Sequence, residues 1–528
     1  MFRAPLGAAM SSCALSLVLQ LAFGVSSASA QVADFADASD EFGSALATGD
    51  FDGDGLDDLA ISVPYEDEKL GILDDIGAVS VLYGRITGGL SSKDDQLWNQ
   101  EKGLKGDADW FEYFGGWGAG PSIAAGDFDG NGFDDLAIGV SSDLVALSPD
   151  AGSVNVLYGT MTGLTNNGDL LWNQDSAGIQ DAAEATDRFG VAVATGDFDG
   201  DGFDDLAMCV ADEDFGHSTD AGMAHVLYGS QVGLTSKRSQ VWHQDKGTVL
   251  DSVESFEHFC ASLAVGDFDA NGCDDLVIGA PFESLGNLSD AGAVNVLYGA
   301  TGTGLTDVGN QLWTQSTLGV ENVADRLDVF GSPLAIGDFD GDGFDDLAIG
   351  VPGEDVGGLA EAGAVNVLFG SLTGLTEVDD QFWNLDNAGP DLPEFLDLFG
   401  EALAAADFDG DGVDDLAVGV PRREVAGLQD AGAVLVLHGV LGLGLVDAGG
   451  VSWAQDDLLT TNVSEEFDNF GAALAAGDFD GDGFADLAIG APKEDVGTIT
   501  AAGAIGVVPG SVTGLTAINA QSFDQNSP

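Results

Sequence analysis

Positive charge is scarce in this sequence. Lys and Arg number 14 against 90 Asp and Glu, a formal net charge of -76 over 528 residues. A polyanion of that strength repels nucleic acid and anionic membranes, so neither is expected as a partner. Long apolar runs are also rare: only one stands out, from Cys13 to Val25. It follows Arg3 and precedes Ala28-Ser29-Ala30, a small-residue cleavage pattern. Residues 1–30 therefore read as a secretory signal peptide, too short in its apolar part to span a membrane. The mature chain is expected to be exported (extracellular, or periplasmic in a Gram-negative source), without membrane insertion and monomeric. Cysteine is sparse too. Cleavage leaves Cys209, Cys260 and Cys273, an odd count that is no disulfide framework. Low apolar content, the mark of disorder, is what the chain does not have: 45% is hydrophobic, with 30 Phe and 8 Trp.

Glycine is abundant, at 78 residues, about twice the usual share. Much of it lies in one recurring phrase, GDFDGDG. Its first Asp falls at Asp50, Asp127, Asp197, Asp267, Asp338, Asp407 and Asp478, at intervals of 77, 70, 70, 71, 69 and 71 residues. A fixed period means stacked or circular units. Other landmarks keep step. A Phe-Gly pair precedes each phrase (Phe42-Gly43, Phe330-Gly331), with Phe259-Cys260 as the variant. Two apolar runs follow, and an aromatic closes the unit: Trp98, Trp172, Trp242, Trp313, Trp383, Trp453 and Phe523. Six of the eight tryptophans thus share one repeat position, which points to packing between repeats.

Each unit reads as four short strands bounded by Gly, Pro and Asp, with no sustained helical period. In the fifth they are expected over 333–337, 346–351, 364–369 and 381–384. The fold class is therefore all-β: a seven-bladed propeller of four-stranded antiparallel blades. A linear β-solenoid is the alternative, but its repeats are shorter. Residues 31–41 form a lead-in and 42–528 the propeller, with blades near 42–100, 111–174, 187–244, 256–315, 327–384, 396–455 and 467–525. The last unit holds its own four strands. The lead-in has no strand to lend, so the ring is expected to close without exchanging one.

The loops carry the chemistry. In the fifth unit, counting from Asp338, oxygen ligands fall at positions 1, 3 and 5 (Asp338, Asp340, Asp342), a backbone carbonyl at 7 (Phe344) and a carboxylate at 9 (Asp346). Such spacing wraps the chain around one Ca²⁺, which takes about six to eight hard oxygens. The same positions elsewhere are Asp50, Asp52, Asp54, Leu56 and Asp58; Asp127, Asp129, Asn131, Phe133 and Asp135; Asp197, Asp199, Asp201, Phe203 and Asp205. They continue as Asp267, Asp269, Asn271, Cys273 and Asp275; Asp407, Asp409, Asp411, Val413 and Asp415; Asp478, Asp480, Asp482, Phe484 and Asp486. Up to seven Ca²⁺ are expected. The first half of each loop is that of an EF-hand, but position 12 (Ile349 in the fifth) is not the bidentate Glu, and a strand follows. Position 8, Ala485 in the last loop and Asp in the others, is not an expected ligand.

The remaining special residues look like local substitutions. Each cysteine stands where sister units carry another residue, so small buried fillers are expected, with a Cys260–Cys273 bridge as the other option. His225 sits where Asn295 and Asn366 sit, and His438 where Tyr298 sits. Neither H-E-x-x-H nor G-x-S-x-G occurs, and no catalytic carboxylate pair can be singled out.

The succession Phe-Gly, D-x-D-x-D-G-x-x-D, then Gly279-Ala280-Pro281 or Gly490-Ala491-Pro492 resembles FG-GAP repeats. The chain is similar to the integrin α-subunit N-terminal propeller and its bacterial secreted relatives from Phe42 to Gln525. That resemblance implies calcium in the hairpin between strands 1 and 2 of a blade. Integrins carry the loop in only some blades and add leg domains and a membrane helix, so adhesion through a partner subunit does not carry over. The leading expectation is a non-catalytic, calcium-binding interaction or adhesion module with a protein or glycan ligand. A lectin-like propeller and a calcium-dependent polysaccharide-acting enzyme are the alternatives. Antiparallel strands place the blade-to-blade links opposite the ion loops. The longest link, 101–122, carries Trp110 and Trp117, the expected ligand face.

Overall fold

The computed structural model describes residues 36–67, 75–86, 88–100, 103–106, 111–116, 122–389, 392–447, 452–458 and 463–527. The expected signal peptide lies outside them, as do Trp110 and Trp117. From Asp34 onward the chain is one compact unit.

Seven antiparallel sheets follow one another along the chain, each built from consecutive strands. In the fifth blade these are Leu334–Gly337, Asp346–Val351, Ala364–Phe369 and Thr376–Trp383. The first three match expectation to within a residue. The fourth begins five residues earlier than expected, because its start (Thr376-Glu377-Val378) is an outer edge facing solvent and lacks an apolar signature. In the sixth blade that outer strand is split into Gly444–Val446 and Ser452–Trp453. Among the described residues the only helix is the four-residue Gln455–Leu458.

The second strand of every blade is buried along its whole length. Neighbouring blades cover both of its faces, which is why it reads as an unbroken apolar run. The molecule accordingly has no single core. It has seven, each shared by two adjacent blades; one joins Val365 and Phe399 of the fifth and sixth, another Phe42 and Ile505 of the first and seventh. Both phenylalanines of the motif anchor these cores: Phe339 and Phe330 are fully buried, each contributing about 1.5–3 kcal/mol.

The ring closes as complete blades. Thr48 Oγ1 donates to the Ala476 carbonyl (3.0 Å) and Gln521 Nε2 to the Leu90 carbonyl (2.9 Å), while Phe42 bridges Gly503. The tryptophans serve blade packing. Trp98 and Trp313 donate their indole N–H to Gln96 and Gln311, whose amides donate to Leu164 and Leu375 of the next blade.

The cysteines correct the sequence reading. Cys209 is bonded to Cys260, and the Cys260–Cys273 option falls; Cys273 is free and buried. Cys209 and Cys260 replace two glycines that meet at other blade boundaries: a Cβ on Gly139 would lie 2.0 Å from the Gly190 carbonyl oxygen. The disulfide therefore joins the third blade to the fourth.

Candidate metal centres

Each acidic loop leaves the inner strand of its blade and winds around its first Asp. In the first blade, Asp50 accepts the backbone N–H groups of Asp54 (3.0 Å) and Gly55 (2.9 Å). Gly53 takes a φ of 70°, and a side chain there would strike the Phe133 ring of the next blade. Asp58 lies buried beneath, accepting from Phe51 (2.9 Å) and Gly84 (2.8 Å). One carboxylate oxygen each from Asp50, Asp52 and Asp58 gathers within 4.8 Å. The trios Asp127/Asp129/Asp135, Asp197/Asp199/Asp205 and Asp267/Asp269/Asp275 do the same. The fifth and seventh loops repeat the winding: Asp338 accepts from Asp342 and Gly343, and Asp478 from Asp482 and Gly483.

Position 5 behaves differently from positions 1, 3 and 9. Its side-chain oxygen accepts the N–H of position 7: Asp54 accepts from Leu56 (3.1 Å) and Asn131 from Phe133 (2.9 Å). Asn serves there as well as Asp. The sixth loop gains a nitrogen: His438 Nδ1 lies 3.3 Å from Asp415 Oδ1 and joins Asp409 and Asp415 in one cluster.

The donor set fits a hard cation. Burial pushes Asp58, Asp135, Asp205, Asp275 and Asp346 up to about 8, so a cation alongside is what would keep them ionised at neutral pH. Asp52 Oδ1 and Asp199 Oδ1 are buried acceptors without a hydrogen bond. At the third loop Arg238 also reaches Asp199 (2.8 Å).

Position 8 has a role that no single loop reveals. Its carboxylate accepts the N–H of the first Asp in the preceding blade: Asp134 from Asp50, Asp204 from Asp127 and Asp274 from Asp197, all at 2.8 Å. Asp345, Asp414 and Asp57 continue the series, the last closing the ring onto Asp478. The residue before each of those first Asps is Gly, where a Cβ would crowd the clasping side chain, to 2.9 Å at Gly49 and 2.8 Å at Gly477. The boundary between blades six and seven lacks the clasp, and there Ala406 and Ala485 replace the Gly and the Asp together.

The links between strands 3 and 4 share the ion-loop end; Thr160 N–H donates to Phe51 and Arg85 N–H to Phe479. At the other end the strand 2–3 links meet the Phe-Gly segment of the next blade, as Gly77 bridges Phe114. That end opens into a central cavity of about 660 Å³. Tyr65, Arg422 and Lys493 line it from blades one, six and seven, beside Glu41 and Glu401. Burial raises the Glu401 carboxyl against the pull of Arg422 and Lys493.

A family model for the FG-GAP repeat matches residues 42–82, 119–157, 189–227, 259–297, 330–368, 399–437 and 470–508, more than half the chain. The chain belongs to the FG-GAP repeat family. This FG-GAP propeller is integrin-like in sequence. It is 33% identical over 254 residues to integrin alpha pat-2 of Caenorhabditis briggsae, covering 44% of the chain and 18% of the integrin. It is 35% identical over 165 residues to human phosphatidylinositol-glycan-specific phospholipase D, covering 31% of the chain and 18% of that protein. The chain thus spans about a fifth of the length of the curated relatives it matches. Among solved structures, the exotype rhamnogalacturonan lyase YesX aligns over 90% of the chain and 72% of its own, with a TM-score of 0.42 and 13% identity, too loose a likeness to bear on function. Among the described residues, no helix is long and apolar enough to cross a membrane.

Proposed function

We propose that this propeller is an exported, calcium-binding, non-catalytic interaction or adhesion module. The convergence of the carboxylates at positions 1, 3 and 9, repeated around the ring, carries the reading. Carboxylates of that kind, with the position 5 oxygen and the position 7 carbonyl, would hold one Ca²⁺ per loop. The ion supplies charge neutralisation and a fixed loop conformation. Protein oxygens that surround an ion leave little room for substrate, so its work is structural.

The ligand face lies at the opposite end. To it we assign the cavity rim and, from the sequence alone, Trp110 and Trp117 of the 101–122 link. Cations are few in this chain, yet Arg422 and Lys493 both line that cavity and both act on Glu401. The test is an array of glycans and extracellular proteins probed with the full chain, with and without Ca²⁺. Binding lost in the Trp110→Ala/Trp117→Ala or Arg422→Ala/Lys493→Ala variant, with calcium content and melting temperature unchanged, supports the reading. Turnover of a glycan on the array, or binding blocked only by changes in the ion loops, refutes it.

A further inference from the structure

A second set of carboxylates lies between the blades, away from the acidic loops. The residue two before each Phe-Gly pair or its variant is acidic and buried in all seven blades, as Asp187 in the third and Glu257 in the fourth. A second buried acid comes from the strand 2–3 link of the same blade: Glu213 in the third, Glu283 in the fourth. A glutamine at the end of the preceding blade completes the group. Gln174 donates through Nε2 to Glu213 (2.7 Å) and Gln244 to Glu283 (3.0 Å). The same bond recurs from Gln315 to Glu354 and from Gln455 to Glu494, always 39 residues apart.

The oxygens in these groups outnumber the hydrogens available to them. Gln244 is 1% exposed, and its Oε1 has no hydrogen-bond partner. An amide's oxygen and nitrogen are roughly 2.3 Å apart, so this oxygen sits beside the Glu283 carboxylate that its nitrogen holds. Glu257 Oε1 is likewise buried without a partner. Gln174, Gln315 and Gln455 repeat the orphaned Oε1 at the same degree of burial. Burial and the neighbouring Asp181 and Asp187 push Glu213 up to about 9. Buried acceptors without donors are costly, and the cost recurs at these four blade boundaries and again at the ring closure, where Gln525 donates to Glu66 (2.6 Å) and leaves its own Oε1 without a donor.

One boundary differs in a telling way. Before the sixth blade the glutamine is Leu385 and the second acid is Arg423. Arg423 Nη1 pairs with the buried Asp397 at 2.9 Å and donates to the Leu392 carbonyl at 2.7 Å. Where the chain supplies its own cation, it drops both the extra carboxylate and the amide oxygen.

We propose that the blade boundaries marked by Gln174, Gln244, Gln315 and Gln455 are a second ring of Ca²⁺ sites, distinct from the loops, and that Arg423 takes the ion's place at the sixth blade. Two carboxylates and an amide oxygen, with no nitrogen or sulfur ligand, select a hard divalent cation. Each ion would bridge two blades, whereas a loop ion sits within one hairpin.

The test uses the full chain at neutral pH in excess Ca²⁺. Crystals examined for anomalous scattering from Ca²⁺ should show a peak between Gln244, Glu257 and Glu283 in addition to peaks in the loops. The variant Gln244→Leu/Glu283→Arg copies a boundary with which the chain already folds. After desalting, mass spectrometry should find one Ca²⁺ fewer per chain, and the anomalous peak should vanish at that boundary alone. The isosteric Glu283→Gln variant should lose the same ion. Anomalous peaks confined to the loops, or a calcium content unchanged in both variants, would overturn the proposal and leave a proton shared between carboxylates. The loop reading is tested separately by the loop peaks.

Discussion

The pairing of Gly with Asp across the blade boundaries predicts a strong energetic coupling that can be measured. At the ring closure, Asp57 accepts the Asp478 N–H at 2.8 Å, and the three atoms nearest a Cβ on Gly477 all belong to Asp57. Gly477→Ala places that Cβ 2.8 Å from Asp57 Oδ2, a clash expected to cost about 1–3 kcal/mol. Asp57→Ala removes the acceptor and leaves the N–H orphaned, expected to cost about 1–3 kcal/mol. The double variant reproduces the Ala406/Ala485 boundary, where both alanines pack against one apolar cluster. The clash is then absent, so the double variant should be about as stable as Asp57→Ala alone. The coupling energy should reach at least ~1 kcal/mol. The reverse cycle, Ala406→Gly with Ala485→Asp, should show Ala485→Asp rescued by the glycine. Urea unfolding of the four proteins in each cycle, in saturating Ca²⁺, measures both terms. Additive effects in both cycles would refute the clasp.

Four further outcomes are expected. His225 is fully buried with both ring nitrogens unpartnered, and burial lowers it to about 4. The unfolded state then binds the proton more tightly, so stability falls as pH drops from about 6.5 towards 4. His225→Asn should flatten that fall and raise the melting temperature, because sister residues Asn295 and Asn366 donate to the Leu250 and Glu321 carbonyls. Reducing the Cys209–Cys260 disulfide, which spans 51 residues, should destabilise by about 3–4 kcal/mol; an unchanged denaturation midpoint in reductant would contradict this. Chelation should lower the melting temperature markedly, since each site filled at a hundredfold excess over its Kd contributes about 2.7 kcal/mol; an identical melting curve in chelator would end the calcium reading. Asp340→Ala should remove about one loop ion while the other sites fill, so loss of all bound calcium by mass spectrometry would show that the sites are not independent.

Much of this protein was legible in its sequence because each blade repeats the same local problem. Seven copies of one phrase, each flanked by a Phe-Gly pair and short apolar runs, determined the blade count, the strand order and the place of the acidic loops. Local spacing also determined the gathering of positions 1, 3 and 9, since a tight turn brings near neighbours together without help from the rest of the chain. What lies between blades needed the tertiary structure. Asp134 and Asp50 are 84 residues apart, and nothing local distinguishes a clasping carboxylate from a solvated one. Cys209 and Cys260 looked like unrelated substitutions until the glycines they replace proved to be in contact. Gln244 and Glu283 belong to different blades, and nothing local marks Glu283 as buried in a chain with 90 acidic residues. Closing the ring excludes water from those boundaries, and burial there turns a carboxylate from a solubilising group into one that needs a partner.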